Sequence, residues 1–160
     1  MKWAFIGLSI AGLLIMTKET KSQPVSAQSQ PRGIRNNNPL NIRYSAANNW
    51  QGQTGTDGEY AIFDEPENGI RAAAKLLNRY IKVYGLVSVS GIISRWAPAT
   101  ENNTQSYISA VSNKLEVLEN EPILWPTQAQ ELIKAMIHHE NGVQPYSNET
   151  INEGIKRAGL

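Results

Sequence analysis

Beyond residue 64 the apolar residues of this chain recur at intervals of three and four, the repeat that lines one face of a helix, and turn or capping residues divide them into separate runs. The greater part of the chain is therefore expected to be helical. Asp64-Glu65-Pro66-Glu67 supplies an N-cap, an early proline and an acid at the third position. The helix it opens has the stripe Ile70, Ala73, Ala74, Leu77, Ile81 and Tyr84, and Gly85 ends it. Ser88 or Ser90 caps a short helix with Ile92, Ile93 and Trp96, which stops before Pro98. Asn103 or Thr104 caps a third, whose inner face is Tyr107, Ile108, Val111 and Leu115. Thr127 and Gln130 form a capping box for the fourth, which Gly142 stops, and a short helix over Glu149–Ala158 closes the chain.

Between residues 32 and 64 the pattern changes. Asn41–Tyr44 and Glu59–Phe63 have strand character, joined by a connection rich in Gly, Asn and Thr that carries Trp50, so a small β-ribbon is expected. The fold class is thus mainly α (α+β), with one small ribbon. Residues 1–17, with an apolar run from Trp3 to Met16, read as a signal peptide or a membrane anchor; the spacing leaves both open. Residues 18–31 are a polar linker, and 32–160 form the domain.

With 160 residues, 41% of them hydrophobic, the chain has room for one domain with a real core. A net charge of +1 gives no nucleic-acid footprint. The lack of cysteine removes disulfides, thiol catalysis and thiolate zinc sites. Only two histidines are present, the adjacent His138 and His139, which point to different helix faces, so neither a metal nor a cofactor is expected.

The chemistry concentrates at one point. Ala129, Leu132, Ile133, Met136 and Ile137 form the apolar stripe of the fourth helix, and the next position on that stripe is Glu140. Partial burial and the negative end of the helix dipole both disfavour an ionised carboxylate there, which suits a general acid for glycosidic bond cleavage. Other candidates carry two readings each. Asn36–Asn38 before Pro39, with Asn41 following, is either turn chemistry or a polar wall for sugar hydroxyls and acetamido groups. Trp50 and Trp96 either stack on sugar faces or sit in the core. Glu59 is a second carboxylate across a cleft or a solvated strand residue, and Glu101 lines the groove or serves capping and solubility.

These segments resemble known cell-wall enzymes. Met136–Gly142 looks like the helix end that carries the glutamate of lytic transglycosylases and goose-type lysozymes. Asn36–Arg43, Trp50-Gln51-Gly52 and Glu59-Tyr60 resemble, in order, the elements that come after that glutamate in autolysin-type glucosaminidases. Because Glu140 comes after them here, that resemblance implies a circularly permuted lysozyme-like fold.

A closer resemblance, over nearly everything from Arg32 onward, is to phage cell-wall-degrading proteins similar to the lysis enzyme of enveloped double-stranded-RNA phages. It rests on Arg32–Pro39, on Trp96-Ala97-Pro98 with Glu101–Thr104 and Tyr107, and on His139–Gly142 with Pro145-Tyr146. The resemblance implies cleavage of peptidoglycan glycan strands, with Glu140 as the acid. Taken with the residue readings and the other resemblance above, the candidate substrate contacts are Asn38, Asn41, Trp50, Trp96, Glu101, Tyr107, His139, Asn141 and Tyr146. With one carboxylate strongly set, a lytic transglycosylase is expected; a hydrolase using Glu140 with Glu59, or an inactive wall-binding virion component, are the alternatives. Expected partners are peptidoglycan, a membrane through the N-terminal segment, and other virion proteins.

Overall fold

The computed structural model describes residues 30–99 and 103–160. The segment read as signal or anchor (1–17), residues 18–29 of the linker, and Glu101 lie outside the described residues. Among those described, the chain forms α1 (Arg32–Arg35), β1 (Gln53–Thr56), β2 (Ala61–Phe63), α2 (Pro66–Lys82), α3 (Val89–Trp96), α4 (Thr104–Leu115), α5 (Ala129–Asn141) and α6 (Asn148–Arg157). The architecture is mainly α with one two-stranded antiparallel ribbon. No described helix is long and apolar enough to cross a membrane.

Several helix ends obey the capping chemistry read from the sequence. Ser88 accepts from the Gly91 amide to open α3, and Asn103 accepts from the Ser106 amide to open α4. Gly142 ends α5 with φ 71°, a conformation that glycine adopts without strain. Two caps differ. Gln128, with no side-chain bond, precedes α5, so the Thr127–Gln130 box does not form. Asp64 lies one residue before the N-cap of α2; its Oδ1 accepts from the Glu65 amide and from Asn68 Nδ2 at 2.8 Å each.

The ribbon differs in its partners. Ala61–Phe63 pairs with Gln53–Thr56, with a bulge between Gln53 and Gly55, whereas Asn41–Tyr44 contributes only an isolated bridge, Arg43 to Tyr60. The physical reason lies a few residues back. The Asn38 side chain takes both the amide and the carbonyl of Ile42, so that segment is held as a loop against β2 rather than extended as a strand.

Helix α2 packs most heavily on α6 and also touches β2, α3 and α5, while α4 packs on α5. The core comprises Leu40 and Phe63 beside the ribbon, Ile70 and Leu77 of α2, Ile92 and Ile93 of α3, Leu132, Ile133, Met136 and Ile137 of α5, and Ile151 of α6. Each such side chain contributes about 1.5–3 kcal/mol by leaving water. Arg157 of α6 bridges to Glu65 and Asn68 at the start of α2. Gly69 fixes how the asparagine loop meets α2. A β-carbon there would lie 2.1 Å from the Asn37 carbonyl oxygen, so only glycine admits the loop at this distance.

Candidate functional site

The α5 stripe explains where Glu140 stands. Leu132, Ile133, Met136 and Ile137 are fully buried, and Glu140, one turn further along the same face, emerges half-buried where the core opens to a cleft. Two side chains from distant elements hold its carboxylate. Asn41 Nδ2 donates to Oε2 at 3.0 Å, and the Tyr107 hydroxyl donates to Oε1 at 3.0 Å.

Each donor is itself built in. Asn41 has φ 50°, a left-handed backbone that asparagine tolerates, and its amide donates to the Asn38 carbonyl at 2.9 Å. Asn141 Nδ2 donates to the Pro39 carbonyl at 2.7 Å, tying the end of α5 to the same loop. The side-chain carbonyl oxygens of Asn41 and Asn141 find no donor among the described residues, and both rest against Gly33. A β-carbon at Gly33 would come within 2.8 Å of Asn41 Oδ1 and 2.6 Å of Asn141 Oδ1. The glycine therefore leaves the space that the acid's partner occupies.

On the other side, Tyr107 is 3% exposed, and its ring stacks on His139 with centroids 3.8 Å apart. Burial, with Glu140 beside it, pushes the Tyr107 phenol well above its ordinary value, so it remains an O–H donor at any physiological pH. Burial also lowers His139, against the opposing pull of Glu140, which favours the neutral ring that stacks there.

Glu140 lies at the junction of two concavities. The larger, about 410 Å³, takes Asn41, Arg43, Asn48 and Tyr60 from the loop and ribbon, Leu76 and Tyr80 from α2, Trp96 from α3, and Pro98 from the turn beyond α3. The smaller, about 250 Å³, lies over Asn103, Ser106, Tyr107 and His139. Glu140 is the one carboxylate among the described residues that line them. Tyr80 meets Trp96 edge to face at 6.2 Å, an aromatic surface of the kind on which sugar rings stack. No described group of histidine, aspartate and glutamate is arranged to hold a metal ion.

Of the residues expected at the substrate, Asn41, Trp96, Tyr107 and His139 line these clefts. Others stand elsewhere. Asn38 is fully buried, donating to the carbonyls of Ile42 and Ala61, so it is a structural asparagine. Asn36 and Asn37 serve the same loop through Asp57 and through the carbonyls of Phe63 and Asp64. Asn141 clamps Pro39 to its own helix. Trp50 and Tyr146 pack against the core, away from the cleft linings, and burial pushes the Tyr146 phenol up to about 12. Glu59 is drawn aside by two guanidinium groups, Arg32 at 2.9 Å and Arg43 at 3.1 Å, and lines neither cleft.

Tyr60, Leu76 and Tyr80 were not foreseen at the site. Leu76 and Tyr80 are four apart on α2 and off its core stripe, a spacing that marks a second apolar face. Tyr60 carried only its alternation in the ribbon.

No family model matches the chain. It is 40% identical over 137 residues to Protein P5 of Pseudoalteromonas phage PM2, a match that covers 83% of this chain and 85% of that protein.

Proposed function

The chain belongs to the family of Protein P5 of phage PM2, and we propose that it cleaves the glycan strands of bacterial peptidoglycan as a lytic transglycosylase of lysozyme-like, permuted fold. The observation that carries this reading is that Glu140, the one carboxylate among the described residues lining two clefts that meet there, is held between Asn41 and Tyr107. A glycan strand crossing that junction brings a glycosidic oxygen to Glu140.

Protonated Glu140 donates its proton to the leaving oxygen as the bond to the anomeric carbon breaks. The resulting carboxylate then takes the proton from the muramoyl C6 hydroxyl, whose oxygen closes on the same anomeric carbon. The products are a free hydroxyl on one fragment and a 1,6-anhydro ring on the other, and Glu140 is protonated again. This route needs one acid–base group and no activated water. Hydrolysis with a second carboxylate finds less support, because Glu59 is engaged by Arg32 and Arg43.

Asn41 and Tyr107 orient the carboxylate through both reactions, and Trp96 with Tyr80 offers the apolar face for a sugar ring. The N-terminal apolar segment delivers or tethers the domain at a membrane, in a virion or facing the periplasm, with the polar linker giving it reach toward the wall. Incubating the protein with purified sacculi and monitoring release of soluble fragments tests the reading. Sacculi left intact would refute it.

A further inference from the structure

Arg43 is the one permanently cationic side chain among the described residues that line the two clefts, and it stands in the larger one together with Glu140. The loop that carries it is anchored to the ribbon. The Tyr44 amide donates to the Glu59 carbonyl at 2.8 Å and the Ala61 amide to the Ile42 carbonyl at 3.0 Å, with Arg43 bridged to Tyr60 between them. Asn41, whose side chain bonds Glu140, lies two residues earlier, so at most about 7 Å separates the α-carbons of Asn41 and Arg43. The backbone of Arg43 is therefore fixed near the acid, while its side chain, 61% exposed, stays open to solvent.

The ion pair of Arg43 is one that a ligand can exchange. Arg43 meets Glu59 Oε1 at 3.1 Å, and Arg32 meets Oε2 of the same carboxylate at 2.9 Å. Glu59 thus keeps a guanidinium partner when Arg43 turns away, and Arg32 is itself held by two bonds to Asp57, at 2.6 and 2.8 Å. An exposed pair of this kind contributes little net stability, so a carboxylate brought into the cleft competes with Glu59 on even terms. The proposed reaction says which carboxylate that is. The anhydro ring forms on the muramoyl unit, which bears a lactyl ether at C3 of the ring whose anomeric carbon lies at Glu140. The acid group of that substituent, free on a bare strand or carried by a peptide stem, enters the cleft that Glu140 and Arg43 share.

We infer that Arg43 binds the carboxylate borne by the muramoyl C3 substituent and so selects peptidoglycan over neutral glycans built of N-acetylglucosamine alone. The inference rests on the glycan-cleavage reading for the identity of the sugar. To that reading it adds a specificity-determining residue, and it puts the muramoyl side of the scissile bond in the larger cleft.

The test is a calorimetric titration of the full chain, with Glu140→Gln to prevent turnover, against four tetrasaccharides. One is the neutral N-acetylglucosamine oligomer; the other three contain muramoyl units whose lactyl carboxyl is free, capped as a methylamide, or extended by a stem peptide with free carboxylates. A carboxylate-bearing oligomer should bind about two- to fivefold more tightly than the neutral and methylamide forms, the scale of an exposed ion pair. Adding Arg43→Gln should abolish that difference, and Arg43→Lys in its place should restore most of it. A preference for the free-lactyl form or for the stem-bearing form supports the inference and identifies the source of the carboxylate. Equal affinity for all four, a preference that survives Arg43→Gln, or an equal loss for the neutral oligomer overturns it. Sacculus digestion by the protein with Glu140 in place separates the two claims. Cleavage without a carboxylate preference sinks the inference alone, and an Arg43-dependent preference with sacculi left intact sinks the cleavage reading alone.

Discussion

Asn41 Nδ2 lies 3.0 Å from Glu140 Oε2 although the two residues are 99 apart in the chain. The bond joins the asparagine loop to the last turn of α5, and the orientation of the acid depends on it. Asn41→Gly keeps the left-handed backbone and removes only the amide. It is expected to lower the cleavage rate about 10- to 100-fold, with little change in thermal unfolding. Asn41→Ala should show the same loss of activity and a further destabilisation of about 1–2 kcal/mol, because φ 50° is costly for alanine. Initial rates on sacculi, together with calorimetry, distinguish the two effects.

Gly33→Ala probes the same network at a residue that makes no bond with the acid. Its methyl group would fall 2.8 Å from Asn41 Oδ1 and 2.6 Å from Asn141 Oδ1, so one of the two side chains has to move. Activity should fall by about tenfold or more through that displacement. Equal kcat for this variant and the unsubstituted protein would show that the glycine serves only local packing.

His139 supports Tyr107 through its ring. His139→Phe retains a flat ring against the phenol and is expected to keep most of the activity. His139→Ala removes a stacking contact worth about 0.5–1.5 kcal/mol and should lower it severalfold. Burial lowers this histidine from its ordinary value of 6.5, so the unfolded chain binds its proton more readily than the folded one. Its contribution to stability is therefore complete above about pH 6.5 and is lost as the pH falls toward the lower folded-state value. An NMR titration of the ring should give a midpoint below 6.5.

Asp57 organises the ribbon. Its carboxylate accepts from Arg32 twice, from Asn36, and from the amides of Glu59 and Tyr60. The Arg32 guanidinium, first among these partners, holds it well below the usual carboxylate range. Stability from this group is fully present above the unfolded value near 4 and declines as the pH falls through the range below it. Asp57→Asn should lower the melting temperature at pH 7 by a few degrees. The gap from the unsubstituted protein should narrow as the solution is acidified below about pH 4.

The helices were legible because each core stripe carries its own stop and start, as with Ser88 before α3, Asn103 before α4 and Gly142 after α5. Glu140 was legible because an apolar stripe that ends in a carboxylate is an exception that the helical repeat makes visible. The ribbon was only half legible. Gln53-Thr54-Gly55-Thr56 has no apolar alternation and is a strand through backbone pairing alone. The asparagine loop carried the same residues for two purposes, and only the fold separates Asn38, turned inward, from Asn41, turned to the acid. Glu59 and Glu140 are both glutamates with room for a role, and the neighbouring guanidinium groups that occupy Glu59 come from residues 27 and 16 positions earlier.

Glu59→Gln tests that difference. The side chain lines neither cleft and pairs with exposed arginines, so its loss should leave cleavage near the unsubstituted rate and barely move thermal stability. A loss of activity comparable to that of a Glu140 variant would restore the two-carboxylate hydrolase.

The proposed mechanism turns on Glu140 acting alone as acid and then as base. Mass spectrometry of fragments released from purified sacculi tests that directly, comparing the unsubstituted protein with Glu140→Gln, which keeps the shape of the side chain and removes its transferable proton. The mechanism predicts 1,6-anhydromuramoyl ends from the former and a loss of about 10³-fold or more with the latter. Reducing sugar ends in the digest, or undiminished release by Glu140→Gln, would contradict it.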